Sequence, residues 1–363
     1  TKPQEPLYQK PFIIKFAGAQ IGGYLDFRYV YEREEGIVEE ATFQAKQFNI
    51  FAYSRLFNRA TIFTEIEFEE GTEEIKIEIA QFDFNLSDKL NFRAGILLPP
   101  LGRFNVNHDS PKNNFTFRPL VSTELIPSTL SELGAGIFGL FSFKGDFRIN
   151  YTLYLTNGFN DGIILNSGEG TRFSAGKPSL AEDNNTVPSI TGRVGIAPFN
   201  RLEIGASFHT GIYNKYSAEG ILIDEKRKAT ILAADWDFSR DFKFGTFGLT
   251  GEYAYAKIDI PESLIGTYAE RQSGYYFELK YDFLRGLIKI LPKSFFTAAI
   301  RYNYVDFDSD IEGDFIRQLA VGLNFRPFED TVLKFNYTKG WTYDRINNLT
   351  RAVFLTSSIA TYF

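Results

Sequence analysis

The stretch GYYFELKYDFL, residues 274–284, carries two chemistries in alternation. Tyr275, Phe277, Leu279, Tyr281 and Phe283 fall on one side of an extended chain, and Glu278, Lys280 and Asp282 on the other. Period two is the geometry of a β-strand, whose successive side chains point to opposite faces. A helix would scatter both sets around its circumference. The spacing therefore predicts a strand with one face suited to an apolar medium and one to water.

The pattern recurs along the chain. IGGYLDFRYVY (21–31) sets Ile21, Leu25, Phe27, Tyr29 and Tyr31 against Tyr24, Asp26 and Arg28. ATIFTEIEFEE (60–70) sets Ile62, Ile66 and Phe68 against Glu65, Glu67 and Glu69. RLEIGASFHTGIY (201–213) and FFTAAIRYNYVDF (295–307) behave alike, and so does FLTSSIATYF (354–363), which stops on the bare aromatic Phe363. FQAKQFNIFAYSRLF (43–57) and EIKIEIAQFDFNL (74–86) are less regular and predict bulges.

Composition narrows the class. Aromatics make up 17% of the 363 residues, with 38 Phe and 20 Tyr, yet 23% are charged, so the two kinds must occupy separate faces. No apolar run reaches the roughly 18 residues of a transmembrane helix. The absence of Cys excludes disulfides and thiolate metal sites. A pI near 5.3 argues against nucleic acid, which needs a basic patch. The chain starts at Thr1 without a leader, as expected of a mature form.

Turn-like punctuation separates the strands: FNR at 57–59 and 199–201, LSDK at 86–89, FKGD at 143–146, SRD at 239–241 and PFED at 327–330. These alternate with longer polar stretches at 158–188, 214–229, 258–272 and 306–315. Short turns at one end and long loops at the other mark an outer-membrane barrel, because a sheet that spans lipid must close to pair all its backbone groups. The prediction is one all-β domain over 1–363, a transmembrane antiparallel up-and-down β-barrel of about 16 strands. The alternative is a soluble sandwich, which would keep its aromatics in the core. The pairs Tyr29/Tyr31, Tyr253/Tyr255 and Tyr302/Tyr304 lie near strand ends, where a lipid–water interface would hold them.

Motifs of enzymes and metal proteins are weak. GAGIFG (134–139) lacks the following helix that a dinucleotide site needs, and DFDSDIEGD (306–314) has its glycine one place late for a calcium loop. Both NYT triplets fall inside predicted strands. Two histidines, His108 and His209, are too few for a metal cluster. No catalysis, cofactor or metal is expected.

The stretch LPPLGRFNVNHDSPKNNFTFRPLVSTELIPSTLSELGAG, residues 98–136, is different. It is long, holds five prolines, and carries apolar Val106, Phe115, Leu120, Val121, Leu125 and Ile126. Such a loop must pack against something, and the lumen is the nearest enclosed surface. Residues 98–133 are predicted to form a constriction that includes Arg103, Asn105, His108, Asp109 and Arg118, with Arg103 and Arg118 as the best candidates for solute contact. Alternation points basic Arg28, Arg93, Arg148, Arg193, Lys280, Arg301 and Lys334 into the lumen. It sends acidic Asp26, Glu65, Glu67, Glu203, Asp235, Asp237, Glu252, Glu278 and Asp282 the same way. The two sets are similar in size, so net charge alone makes no anion filter.

EIEFEEG (65–71), NFRAGILLPPLGRFNVNHDSP (91–111) and FRPLVSTELIPSTLSELGAGIFG (117–139) resemble the phosphate-selective porin O and P family, particularly its Bacteroidota-type members. The resemblance implies a sixteen-stranded, trimeric barrel of the bacterial outer membrane, set in lipid and lipopolysaccharide. It implies passive flow of small hydrophilic solutes, with anion selectivity from a ladder of basic side chains. Two alternatives stay open: a phosphate- or oxyanion-selective channel, and a non-conducting barrel that anchors a surface complex.

Overall fold

The computed structural model describes residues 14–16, 19–166 and 170–363; the expectation about the start of the chain lies outside them. The barrel strands are β1 (Ala19–Glu34), β2 (Ile37–Phe57), β3 (Ala60–Glu69), β4 (Glu74–Asn85), β5 (Asn91–Leu97), β6 (Glu132–Ser142), β7 (Arg148–Thr156) and β8 (Ser189–Phe199). They continue as β9 (Leu202–Ile212), β10 (Lys228–Phe242), β11 (Gly245–Ile258), β12 (Arg271–Phe283), β13 (Phe295–Asp306), β14 (Phe315–Phe328), β15 (Thr331–Tyr343) and β16 (Leu349–Tyr362). Each pairs antiparallel with the next. β16 returns to β1 in a register running from Tyr362↔Tyr24 to Ala352↔Glu34, which closes a 16-strand barrel. A short strand, Ile14–Phe16, pairs with the start of β1.

Short turns gather at one end, taken as periplasmic, and the long loops at the other. Register shifts fall in β2 and at the β3–β4 pairing, where the two irregular segments lie. One turn differs from the prediction. Ser239, Arg240 and Asp241 are not a turn but stay in β10, paired with Gly248, Phe247 and Thr246, and the chain reverses at 243–244. Those polar side chains sit at the rim, where water replaces lipid and the ladder can continue without apolar alternation.

The outer face carries two aromatic rows. Tyr275, Tyr304, Phe315 and Tyr343 contact one another in sequence across β12 to β15. Phe283, Phe296 and Phe325 form the periplasmic row. On β12 the rows are eight residues apart (283 − 275), about 26 Å along the strand. A tilt of about 40° reduces this to about 20 Å of height, close to the apolar band of a membrane barrel.

The lumen is partly filled. The chain between β5 and β6 contains short 3-10 turns at Phe104–Val106 and Ser110–Lys112 and a single helical turn, α1 (Val121–Glu124). β6 begins at Glu132, so this loop is 98–131 rather than 98–133. Its Leu101, Val121, Leu125, Ile126 and Leu130 pack into an apolar cluster with Ala229, Ile231 and Ala233 of β10 and Ala254, Ala256 and Ile258 of β11. A second loop enters the same cluster. The stretch 158–188 is predicted as a polar outer segment, but it belongs to a loop, 157–188, whose Phe159, Ile163, Ile164 and Phe173 are buried in that cluster. Small residues on the β10 and β11 walls leave room for both loops, and burying their apolar side chains supplies the driving force.

Candidate functional site

The loop 98–131 is fixed to the lumen wall along most of its length. Its entry turns on Gly102, whose φ of 66° is left-handed. A Cβ there would lie 3.1 Å from the Glu252 carboxyl group, so glycine also permits the close approach. Glu252, on β11, then accepts from the backbone N–H of Arg103 at 2.6 Å, from that of Phe104, and from Ser122 Oγ at 2.7 Å. Asn105 ties the two ends of the loop: its Nδ2 donates to Pro99 O (2.8 Å) and Leu130 O (3.1 Å), and its Oδ1 accepts from Leu130 N (2.8 Å).

The middle of the loop crosses toward β1, β15 and β16. His108 Nε2 lies 2.8 Å from Glu78 Oε1, with Nδ1 2.9 Å from Asn105 O. Asp109 accepts from the Tyr362 hydroxyl at 2.8 Å, and burial pushes its carboxyl up to about 6. Ser110 Oγ donates to Asp26 at 2.5 Å. Lys334 Nζ donates to Ser110 O, and Arg326 Nη1 to Pro111 O, both at 2.8 Å. Asn336 Oδ1 accepts from both Thr116 N and Thr116 Oγ1 at 2.9 Å, while Asn114 donates to Glu278 at 2.7 Å. Arg301 donates to Phe117 O at 2.6 Å and lies 4.5 Å from the centre of the Phe115 ring.

The charged side chains are largely matched. Arg103 meets Asp237 at 2.7 Å and Glu203 at 3.5 Å. Arg193 binds Asp235 at 2.6 Å and Glu203 at 3.0 Å. Arg93 takes Asp83 with two bonds of 2.7 and 2.8 Å and adds the Tyr154 hydroxyl at 3.0 Å. Arg301 reaches Glu278 at 3.6 Å, and Lys280 reaches Asp282 at 3.8 Å. Asp282 also accepts from Thr297 at 2.7 Å. Arg28 donates to Gln44 at 2.5 Å, Glu65 accepts from Asn49 at 3.1 Å, and Glu67 accepts from Gln47. Arg148 stands apart at the periplasmic rim, bonded to Asn200 at 3.1 Å. Arg118 bonds within its own loop, through Nη1 to Ser128 O at 3.1 Å, so Arg103 and Arg118 engage different partners.

Sequence inspection passes over several residues that hold the loop: Glu78, Ser110, Asn114, Thr116, Ser122, Asn324, Arg326, Asn336 and Tyr362. Alternation alone places Asn324, Arg326, Asn336 and Tyr362 on the inner face; nothing else in the sequence marks them.

No protein-family model matches the chain. An uncharacterized protein of Aquifex aeolicus (strain VF5) is 26% identical over 377 residues, covering 94% of this chain and 80% of that protein. Among solved structures, the outer membrane channel DcaP of Acinetobacter baumannii aligns with a TM-score of 0.60 and 13% identity, covering 97% of this chain and 99% of that one. The anion-selective porin from Comamonas acidovorans aligns at 0.57 and 11% identity, covering 95% and 99%. At such identity the likeness is one of fold. The architecture is the sixteen-stranded barrel of outer-membrane porins, and its apolar outer band places it in the bacterial outer membrane.

Proposed function

We propose that this barrel is a general porin, passing small hydrophilic solutes passively through a lumen narrowed by loops 98–131 and 157–188. The observation that carries it is the attachment of loop 98–131 to lumen residues from Asp26 on β1 to Tyr362 on β16, which supports a fixed constriction over a loose cover. Arg103, Asn105, His108, Asp109 and Arg118 belong to that constriction, and the inward acids and bases line the approach to it. The pairing of Arg93, Arg103, Arg193 and Arg301 with carboxylates favours weak charge selectivity over a strong anion filter. Arg103 acts as a tether in this proposal, and Arg118 remains the better candidate for contact with an oxyanion. The homotrimer and the phosphate preference implied by the resemblance to the porin O and P family are its finer parts.

The apolar cluster in the lumen favours a second reading, a non-conducting barrel that anchors a surface complex. Planar-bilayer recording separates the two. An ohmic current with a reversal potential near zero in a salt gradient supports the general porin. A reversal potential displaced toward the anion, with block by added phosphate, supports the selective channel. Absence of current from folded protein supports the anchor.

A further inference from the structure

Most periplasmic turns of this barrel are brief, with two residues between strands at 58–59, 200–201, 243–244 and 329–330. The turn between β12 and β13, residues 284–294, is the longest at that end among the described residues. It is folded on itself, with Gly286 N donating to Ser294 O at 2.8 Å, Leu291 N to Ile288 O at 2.8 Å and Ser294 N to Leu291 O at 2.9 Å. Yet it turns apolar side chains outward. Ile290 is 87% exposed, Leu287 62% and Leu284 48%. Its charged residues, Arg285, Lys289 and Lys293, are all basic, in a chain whose net charge is −6.

The adjacent turn has the same chemistry. Gly245 pairs with Phe283, which sets turn 243–244 beside turn 284–294. Phe244 is 76% exposed with Lys243 over its ring, and Arg240 lies over the exposed Phe242. The nearby acids are engaged: Asp282 is buried against Thr297, Lys280 and Arg285, and Asp241 pairs with Arg201. No carboxylate pairs with Lys289 or Lys293 among the described residues. Turn 329–330, the next along the rim, consists by contrast of Glu329 and Asp330, so the basic character does not extend to it.

We propose that turns 284–294 and 243–244 form a binding surface for anionic phospholipid of the periplasmic leaflet. The surface continues the lipid-facing band: Leu284 follows Phe283, a member of the periplasmic aromatic row. Leu287 and Ile290 extend that band past the row, to the depth where acyl chains give way to headgroups. Basic side chains beside them keep their stems in the apolar layer and bring their charges to phosphate. A single-sign basic patch at a membrane surface draws anionic lipid, each charge contributing about fivefold in affinity. This stretch of the rim would then hold acidic lipid that the neighbouring turn 329–330 does not.

The chain has no cysteine, so single labels are unambiguous. Leu287→Cys and Asp330→Cys variants, each carrying an environment-sensitive fluorophore, are folded into phosphatidylcholine vesicles with and without phosphatidylglycerol. The label at 287 is expected to be quenched by brominated lipid, and the label at 330 to remain in water. After partial delipidation, native protein should retain phosphatidylglycerol in excess over phosphatidylcholine. Arg285→Gln, Lys289→Gln and Lys293→Gln combined should lower that excess by tenfold or more. Heat-modifiable gel migration checks that the variant barrel is folded. A label at 287 that stays in water in both vesicles overturns the proposal, as does equal phosphatidylglycerol retention by the folded triple variant. A label that responds only when peptidoglycan fragments are added also overturns it, and assigns the surface to the cell wall instead.

Discussion

Phe363 and Gly23 exchange both backbone hydrogen bonds, at 2.9 and 3.0 Å, and so complete the seam between the last strand and the first. The Phe363 ring then passes over Gly23 and stacks on Phe48 with centroids 5.5 Å apart. A Cβ on residue 23 would lie 2.4 Å from that ring and 2.3 Å from Asn49 O, so the seam needs glycine there. Deleting Phe363 should cost about 2 kcal/mol from its two hydrogen bonds and slow closure. Gly23→Val should impair closure at least as much, because the clash is with backbone. Heat-modifiable migration during refolding reports both, and wild-type rates in the two variants would contradict the seam's importance.

The two faces of β12 predict opposite tolerance. Phe277 and Leu279 are exposed on the outer face, whereas Lys280 points inward with only a 3.8 Å contact to Asp282. Phe277→Arg or Leu279→Arg should destabilise the barrel by about 2–4 kcal/mol at mid-depth. Lys280→Gln should change stability by less than about 1 kcal/mol. Urea titration in lipid vesicles measures all three.

Glu252 is the acceptor on which the loop's entry depends. Glu252→Ala leaves the Arg103 and Phe104 amides and the Ser122 hydroxyl without their partner, each at a cost of about 1–3 kcal/mol if no water replaces it. The barrel should remain folded while the loop loosens. Single-channel current should rise or become noisier, and an unchanged current trace would place the loop outside the conducting path.

Phe173→Ala tests the second loop. The ring is fully buried and meets Phe159 edge-on at 5.1 Å. Its removal should cost about 3–5 kcal/mol of packing, lost from the loop rather than from the sheet. Proteolytic cleavage within 157–188 should accelerate while gel migration of the folded form stays unchanged.

The raised carboxyl of Asp109 gives a pH dependence with a definite sign. Its value of about 6 against the usual 3.8 means that the folded state holds the proton more tightly than the unfolded one. That contribution, about 2–3 kcal/mol, is complete below about pH 4 and lost as pH rises through 6. Asp109→Asn keeps an acceptor for the Tyr362 hydroxyl and removes the titration. Hydrogen-exchange protection around residue 109, corrected for the intrinsic pH dependence of amide exchange, should rise on acidification in the native protein and should vary less between pH 4 and 6 in the variant. Identical profiles would refute the assignment.

The strands were legible because lipid and water enforce a period-two code that survives without tertiary information. The turn at 243–244 was not, since β10 extends past the lipid and Ser239 to Asp241 lose the alternation while keeping their pairing. The inward fold of 98–131 could be inferred from proline and apolar content, but its anchors could not. Arg103 and Asp237, or Asp109 and Tyr362, are far apart in sequence and meet only through closure of the sheet. The inward packing of loop 157–188 was not legible, because Phe159, Ile163, Ile164 and Phe173 are diluted among Gly, Asn and Ser and leave no periodic signal.

The berth of loop 98–131 is assembled from Asp26 on the first strand, Glu252 on the eleventh and Tyr362 on the last. Until the sheet has become a cylinder, those three groups are not neighbours and the loop has nowhere to rest. In the proposed porin, narrowing of the passage is therefore the final act of assembly, whatever the order in which the strands enter the membrane. A half-zipped barrel would be a wide leak, and the finished calibre doubles as a certificate that the first and last strands have met.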